Sequence, residues 1–217
     1  MKKQISILNK LGIKKLNPMQ QEAHLAIRSS DELVLLSPTG TGKTLAFLLP
    51  IILELDAECA EIQALIVVPT RELAIQIEQV IRQMGTGYKI NAVYGGRTGS
   101  RDRKDIKHRP AILIGTPGRI ADHLRRKAFD TRKIATLILD EFDKSLEVGF
   151  EEDMKFIIES LTKVSKKILT SATQKVKIPS FVGLKTPKRL SYLGEKTQNL
   201  KLRTVISPTQ DKLTTLD

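Results

Sequence analysis

Short apolar runs alternate along this chain with longer stretches whose apolar residues recur at helical spacing. That alternation restricts the fold more than any other feature. Residues 33–36, 64–68, 111–114, 137–139 and 167–170 read as strands, with 91–94 a weaker candidate. Residues 43–55, 71–84, 119–127 and 151–162 read as helices between them. Strands that alternate with helices imply a parallel sheet covered on both sides. The runs are continuously apolar, as strands buried on two faces must be. The expectation is an α/β domain, a mostly parallel twisted sheet with helices on both faces. At 217 residues with 41% hydrophobic content, the chain can bury a substantial core.

The first strand runs into Ser37-Pro38-Thr39-Gly40-Thr41-Gly42-Lys43-Thr44 and then into an apolar helix. Strand, glycine-bearing loop and helix in that order are the context of a phosphate-binding P-loop. Gly40 and Gly42 let successive backbone N–H groups turn inward toward phosphate oxygens. The helix N-terminus adds partial positive charge. Lys43 supplies an ammonium for the terminal phosphates, and the Thr44 hydroxyl suits Mg²⁺. The general motif begins with glycine, where this loop has Ser37.

Such a loop needs a carboxylate partner. Residues 137–139 deliver Asp140 and Glu141 to the carboxyl edge of the sheet, where open α/β folds bind ligands. Asp140 is expected to hold Mg²⁺ through water. Glu141 is expected to orient or deprotonate an attacking water. Taken alone, the pair reads equally well as two solvated acids at a strand end. Together with the loop, it makes ATP and Mg²⁺ the expected ligands.

Lys and Arg total 36 against 24 acidic residues, a net charge of +12. This favours a polyanionic partner, although a solvated basic surface gives the same count. The basic stretch between Arg101 and Lys133 is more simply a solvated face than a set of specific contacts. Aromatic residues are 4% with no Trp, so a nucleic acid is expected to be held by its backbone. A single cysteine, Cys59, excludes an internal disulfide, and His24, His108 and His123 are not spaced as zinc ligands. No apolar run reaches bilayer length, so the expected compartment is the cytoplasm.

Several further segments resemble the DEAD-box RNA helicases. Asp140-Glu141-Phe142-Asp143 stands where that family has its name-giving tetrapeptide, with Phe142 in place of alanine. Pro69-Thr70-Arg71-Glu72-Leu73-Ala74 and Thr116-Pro117-Gly118-Arg119 match two family signatures in full, with Gly95-Gly96 between them. Ser171-Ala172-Thr173 matches the signature after the acidic motif. Residues 12–20 are similar to the adenine-reading segment, with Gln20 as its glutamine and Leu16 and Asn17 as looser matches. The signatures span nearly the whole chain in the family's order.

The resemblance implies a RecA-like ATP-binding domain over 1–205, with the adenine-reading segment and leading helices in 1–30. Residues 206–217 would be a linker and the start of a second RecA-like domain. Gln20 would pair with adenine; the plainer reading is a polar residue beside the first-turn proline Pro18. Pro69, Thr70, Arg71, Gly95, Gly96, Thr116, Pro117, Gly118 and Arg119 would hold RNA through phosphate and sugar, without reading sequence. For Thr70 and Thr116 the plainer reading is helix capping, and both roles can hold at once, since a helix N-terminus itself binds phosphate. Ser171 and Thr173 would bond Asp140 or Asp143 and couple the nucleotide to RNA. The implied activity is an RNA-stimulated ATPase that opens short duplexes, weak or inactive without the second domain, in a monomer. A DNA translocase of a related helicase group and a non-catalytic RNA-binding scaffold are the competing readings.

Overall fold

The computed structural model describes residues 2–96, 102, 104, 106–173 and 177–194. Residues 206–217, expected to form a linker, lie outside them. Seven strands are present among the described residues: β1 (Glu32–Leu36), β2 (Ala64–Val67), β3 (Ile90–Val93), β4 (Ile112–Gly115), β5 (Thr136–Leu139), β6 (Lys166–Ser171) and β7 (Lys188–Ser191). They form one sheet in the order β3-β4-β2-β5-β6-β1-β7. Every pairing is parallel. All carboxyl ends therefore lie along one edge.

The helices are α1 (Lys2–Lys10), α2 (Pro18–Ser29), α3 (Lys43–Glu54), α4 (Arg71–Met84), α5 (Pro117–Arg125), α6 (Phe142–Glu147) and α7 (Glu151–Ser160). They cover both faces of the sheet. Alternate strand residues serve opposite faces because the side-chain period of a strand is two. Leu33, Leu35, Ala64, Ile66, Ile114 and Ile138 pack with α2, α3 and α4. Val34, Leu65, Val67, Leu113, Leu137 and Leu139 pack with α5 and α7. Each fully buried Leu, Ile or Val contributes about 1.5–3 kcal/mol. No helix among the described residues is long and apolar enough to cross a membrane.

The six expected strands all occur, with ends moved by no more than one residue. α5 starts and stops two residues earlier than expected. Thr116 takes the extended N-cap conformation and Pro117 occupies the first turn, where its missing N–H costs nothing. β7 and α6 were not among the expected elements. β7 is an edge strand that buries only Leu190, and its Lys188 and Arg189 face solvent. Edge strands are commonly protected by such charges.

Candidate functional site

The loop after β1 closes on its own side chains. Ser37 is fully buried, and its Oγ lies 2.7 Å from Thr41 Oγ1. Thr41 Oγ1 donates to the Pro38 carbonyl at 2.8 Å. Gly42, the N-cap of α3, has φ +87°, a left-handed conformation that favours glycine. Its Cα also faces Gln20, because an added Cβ would stand 2.5 Å from Gln20 Nε2. Position 42 thus favours glycine through its backbone, and any larger side chain would also displace the Gln20 amide.

Lys43 is buried at the start of α3. Its Nζ donates to the carbonyls of Ser37 at 2.6 Å and Pro38 at 2.8 Å. Burial lowers its pKa from the usual lysine value, against the pull of Asp140, Glu141 and Asp143. The amine therefore sits among nearby carboxylates on the inner side of the loop.

Asp140 follows β5 directly, and its N–H donates to Val67 O at 2.9 Å. Its side chain is buried, and burial pushes its pKa up to about 6 despite a hydrogen bond from Thr170 and the charge of Lys43. The Thr170 hydroxyl donates to Asp140 Oδ1 and accepts from the Glu141 N–H at 3.1 Å. Glu141 has φ +48°, unusual for a residue with a side chain. Lys144 Nζ donates to Glu141 Oε2 at 2.8 Å.

Asp143 is buried on α6. Its Oδ2 accepts from Ala172 N at 3.2 Å and Thr173 Oγ1 at 3.3 Å. Thr173 is therefore joined to an acidic residue as expected. Ser171 is not: its Oγ donates to the Thr173 carbonyl and accepts the Thr173 N–H, both at 3.0 Å. The hydroxyl that reaches Asp140 comes from Thr170, one residue earlier and on the opposite face of β6.

Gln20 stands at the third position of α2, where it completes a capping box with Asn17. Asn17 Oδ1 accepts from Gln20 N at 2.8 Å, and Gln20 Oε1 accepts from Asn17 N at 3.0 Å. Gln20 Nε2 reaches the Gly42 carbonyl at 3.2 Å, and Asn17 Nδ2 reaches the Thr41 carbonyl at 3.0 Å. The capping role and a place beside the P-loop coexist in one side chain.

These parts line one open cleft of about 500 Å³. Gln20, Thr39, Gly40, Gly42, Lys43, Thr44, Asp140 and Glu141 are on its walls. Leu11 and Ile13 also line it. They add an apolar wall that the sequence motifs do not single out, although Ile13 lies within the segment 12–20 and Leu11 just before it. Among the described residues lining this cleft there is no arginine.

The other signatures lie on neighbouring strand ends. Residues 69–71 follow β2, Gly95 and Gly96 follow β3, and 116–119 follow β4. These three strands are adjacent in the sheet, and β2 borders β5. Thr70 caps α4, its Oγ1 accepting from Leu73 N at 3.2 Å. Arg71 is exposed and pairs with its neighbour Glu72 at 2.9 Å. A Cβ on Gly96 would stand 3.6 Å from Arg71 Nη1, so these two signatures touch. Thr116 caps α5 without a side-chain bond. Gly118 lies near Asp153, whose Oδ2 would stand 3.4 Å from an added Cβ. Arg119 is tied inward to Asp102 at 2.7 Å.

Fold and site together define a RecA-like P-loop domain, with a phosphate loop facing two acids and a line of polar signatures beside it. Residues 17–180 match the family model of the DEAD/DEAH box helicases, and the chain belongs to that family. It is 39% identical over 171 residues to the ATP-dependent RNA helicase CshA of Limosilactobacillus reuteri, covering 78% of this chain and 34% of that protein. It is 33% identical over 168 residues to the DEAD-box ATP-dependent RNA helicase CshA of Bacillus subtilis, covering 76% and 34%. The chain thus spans about a third of the length of these curated relatives. A DEAD box protein of the hyperthermophile Methanococcus jannaschii has a similar crystal structure, with TM-score 0.77, 30% identity and coverage of 85% and 52%. A hypothetical ATP-dependent RNA helicase of Sulfolobus tokodaii aligns with TM-score 0.76 at 27% identity, covering 88% and 56%.

Proposed function

We propose that this chain is the ATP-binding half of an RNA-stimulated ATPase that locally opens short RNA duplexes. The carrying observation is the shared cleft: Lys43 and Thr44 at the start of α3 face Asp140 and Glu141 at the end of β5. Backbone N–H groups of 39–44 cradle the phosphates, and Lys43 exchanges the loop carbonyls for phosphate oxygens. Gln20 pairs with adenine, and Leu11 and Ile13 supply the apolar wall beside the base.

The donor set fits Mg²⁺, which favours oxygen and binds through few protein groups when phosphates supply the rest. The Thr44 hydroxyl and the Asp140 carboxylate, the latter through water, are those groups. The raised pKa of Asp140 supports this, since a buried carboxylate is relieved by a nearby cation. When bound, the ion neutralises charge on the phosphates. Glu141 orients a water toward the γ-phosphorus and takes its proton as the bond to the β-phosphate oxygen breaks, leaving ADP and phosphate. Lys144 holds the Glu141 carboxylate and must release it, wholly or in part.

The edge formed by 69–71, 95–96 and 116–119 takes RNA by phosphate and sugar, independent of sequence. Asp143 and Thr173 connect that edge to the acids. An arginine supplied to the transition state is worth about 10³ to 10⁵ in rate in such enzymes. The chain spans about a third of its curated relatives; in this reading a second RecA-like domain supplies such an arginine and completes the motor, and this half alone turns over slowly. The proposal includes a monomer working in the cytoplasm.

The test is phosphate release by the intact protein with and without single-stranded RNA. Glu141→Gln is expected to lose RNA-stimulated turnover by at least about 10²-fold, as the loss of a catalytic base does. Unchanged stimulation would refute the role of Glu141. Stimulation by DNA equal to that by RNA would favour a DNA translocase.

A further inference from the structure

We propose that Asp102 is a positioning residue that fixes Arg119 on the RNA-facing edge, with His123 as a second support. This rests on the reading of Arg119 as an RNA contact. Asp102 has no exposed surface. A carboxylate taken out of water is costly unless a cation and hydrogen bonds hold it. Here Arg119 Nε donates to Asp102 Oδ2 at 2.7 Å, and His123 Nε2 lies 3.3 Å from the same oxygen. His123 is buried and sits one turn after Arg119 on α5, so both stand on one helix face.

The Arg119 side chain keeps 20% of its surface in solvent. Its guanidinium is a rigid planar fork, so a bond at Nε fixes the plane in which the terminal nitrogens lie. Arg71, on the same edge, contrasts with it. Its side chain is 59% exposed and pairs across the surface with Glu72. Arg71 supplies attraction that falls with salt, whereas Arg119 supplies an oriented contact whose ordering cost was met on folding. The N-terminus of α5 adds its own N–H groups beside that contact.

Asp102 lies in the basic stretch between β3 and β4 and has no place in the nucleotide cleft. It acts through Arg119 and touches neither RNA nor ATP. Its removal is therefore expected to change RNA affinity while leaving nucleotide affinity alone.

The experiment is fluorescence anisotropy of a labelled oligouridylate with the intact protein, Mg²⁺ and a non-hydrolysable ATP analogue. Arg119→Ala sets the scale, with an expected loss on the order of tenfold or more. Asp102→Leu, close in volume, is expected to lose most of the same factor and to flatten the log–log salt dependence by about 0.7, one single-strand phosphate contact. Asp102→Asn, milder and safer for folding, is expected to lose several-fold. The double variant Asp102→Asn/Arg119→Ala is expected to bind no more weakly than Arg119→Ala. Additive losses, or weakened nucleotide binding in both Asp102 variants, would make Asp102 a general structural residue and overturn the proposal. So would unchanged RNA binding in both Asp102 variants while Arg119→Ala is impaired. If Arg119→Ala itself binds like the parent, the reading of Arg119 as an RNA contact fails, and this inference with it.

Discussion

Thr170 and Asp140 share a hydrogen bond that ties β6 to the acidic end of β5. The same hydroxyl accepts the Glu141 N–H at 3.1 Å, so one side chain braces both acids. Thr170→Val keeps the shape and removes both bonds. A lost buried hydrogen bond costs about 1–3 kcal/mol when a partner is left unsatisfied. The variant is expected to lose that much in urea unfolding and to bind Mg²⁺–ATP more weakly. Parent-like stability and affinity would show that the brace carries nothing.

The raised pKa of Asp140 has a consequence for stability. Its folded value is about 6 against an ordinary 3.8, because burial penalises the charged form. The native state therefore holds the proton more tightly than the unfolded chain. The stability this provides is full below about pH 4 and is lost as pH rises through 6. At pH 7.5 the ionised group costs about 2–3 kcal/mol. Asp140→Asn is expected to be more stable than the parent by that order in buffer without nucleotide or magnesium. The gap should close toward pH 4, as followed by urea unfolding at each pH.

Phe142 stands where the family has alanine, and it is 1% exposed in the core beneath β5 and β6. Phe142→Ala leaves a cavity, and such truncations cost about 3–5 kcal/mol. Denaturant unfolding is expected to show that loss. A loss below about 1 kcal/mol would mean that the neighbouring side chains collapse onto the alanine.

Gln20 carries two duties. Removing its side chain in Gln20→Ala deletes half of the capping box, a loss of about 1 kcal/mol. It also deletes the amide proposed to distinguish adenine. The ratio of ATP to GTP affinity is expected to fall toward unity, measured by titration with fluorescent nucleotides. An undiminished ratio would leave Gln20 with its capping role alone.

The elements that line the cleft around Lys43 and Asp140 were the most legible in the sequence. β1, β2 and β5 are buried on both faces, so their residues form unbroken apolar runs, and Lys43 and Asp140 lie within a few residues of those runs. Partnerships across the sheet were less legible. The Ser171-Ala172-Thr173 signature points to Ser171 and Thr173 and leaves out Thr170, whose role depends on the strand face, which a one-residue step reverses. Asp102 was hidden in a basic run that reads as a solvated surface, because its partner Arg119 follows 17 positions later. β7 was hidden because an edge strand with one buried residue has no apolar pattern. α6 was hidden by its six-residue length.

The most direct measurement is the affinity of the intact protein for a fluorescent ATP analogue, with and without magnesium, in the parent and in Lys43→Ala and Asp140→Ala. Losing a charged hydrogen-bonding partner costs about 1.5–3 kcal/mol, or roughly 10- to 100-fold. The account predicts that order of loss in Lys43→Ala. It also predicts that magnesium strengthens binding in the parent but hardly in Asp140→Ala. Parent-like affinity in Lys43→Ala, or an equal magnesium effect in all three proteins, would contradict it.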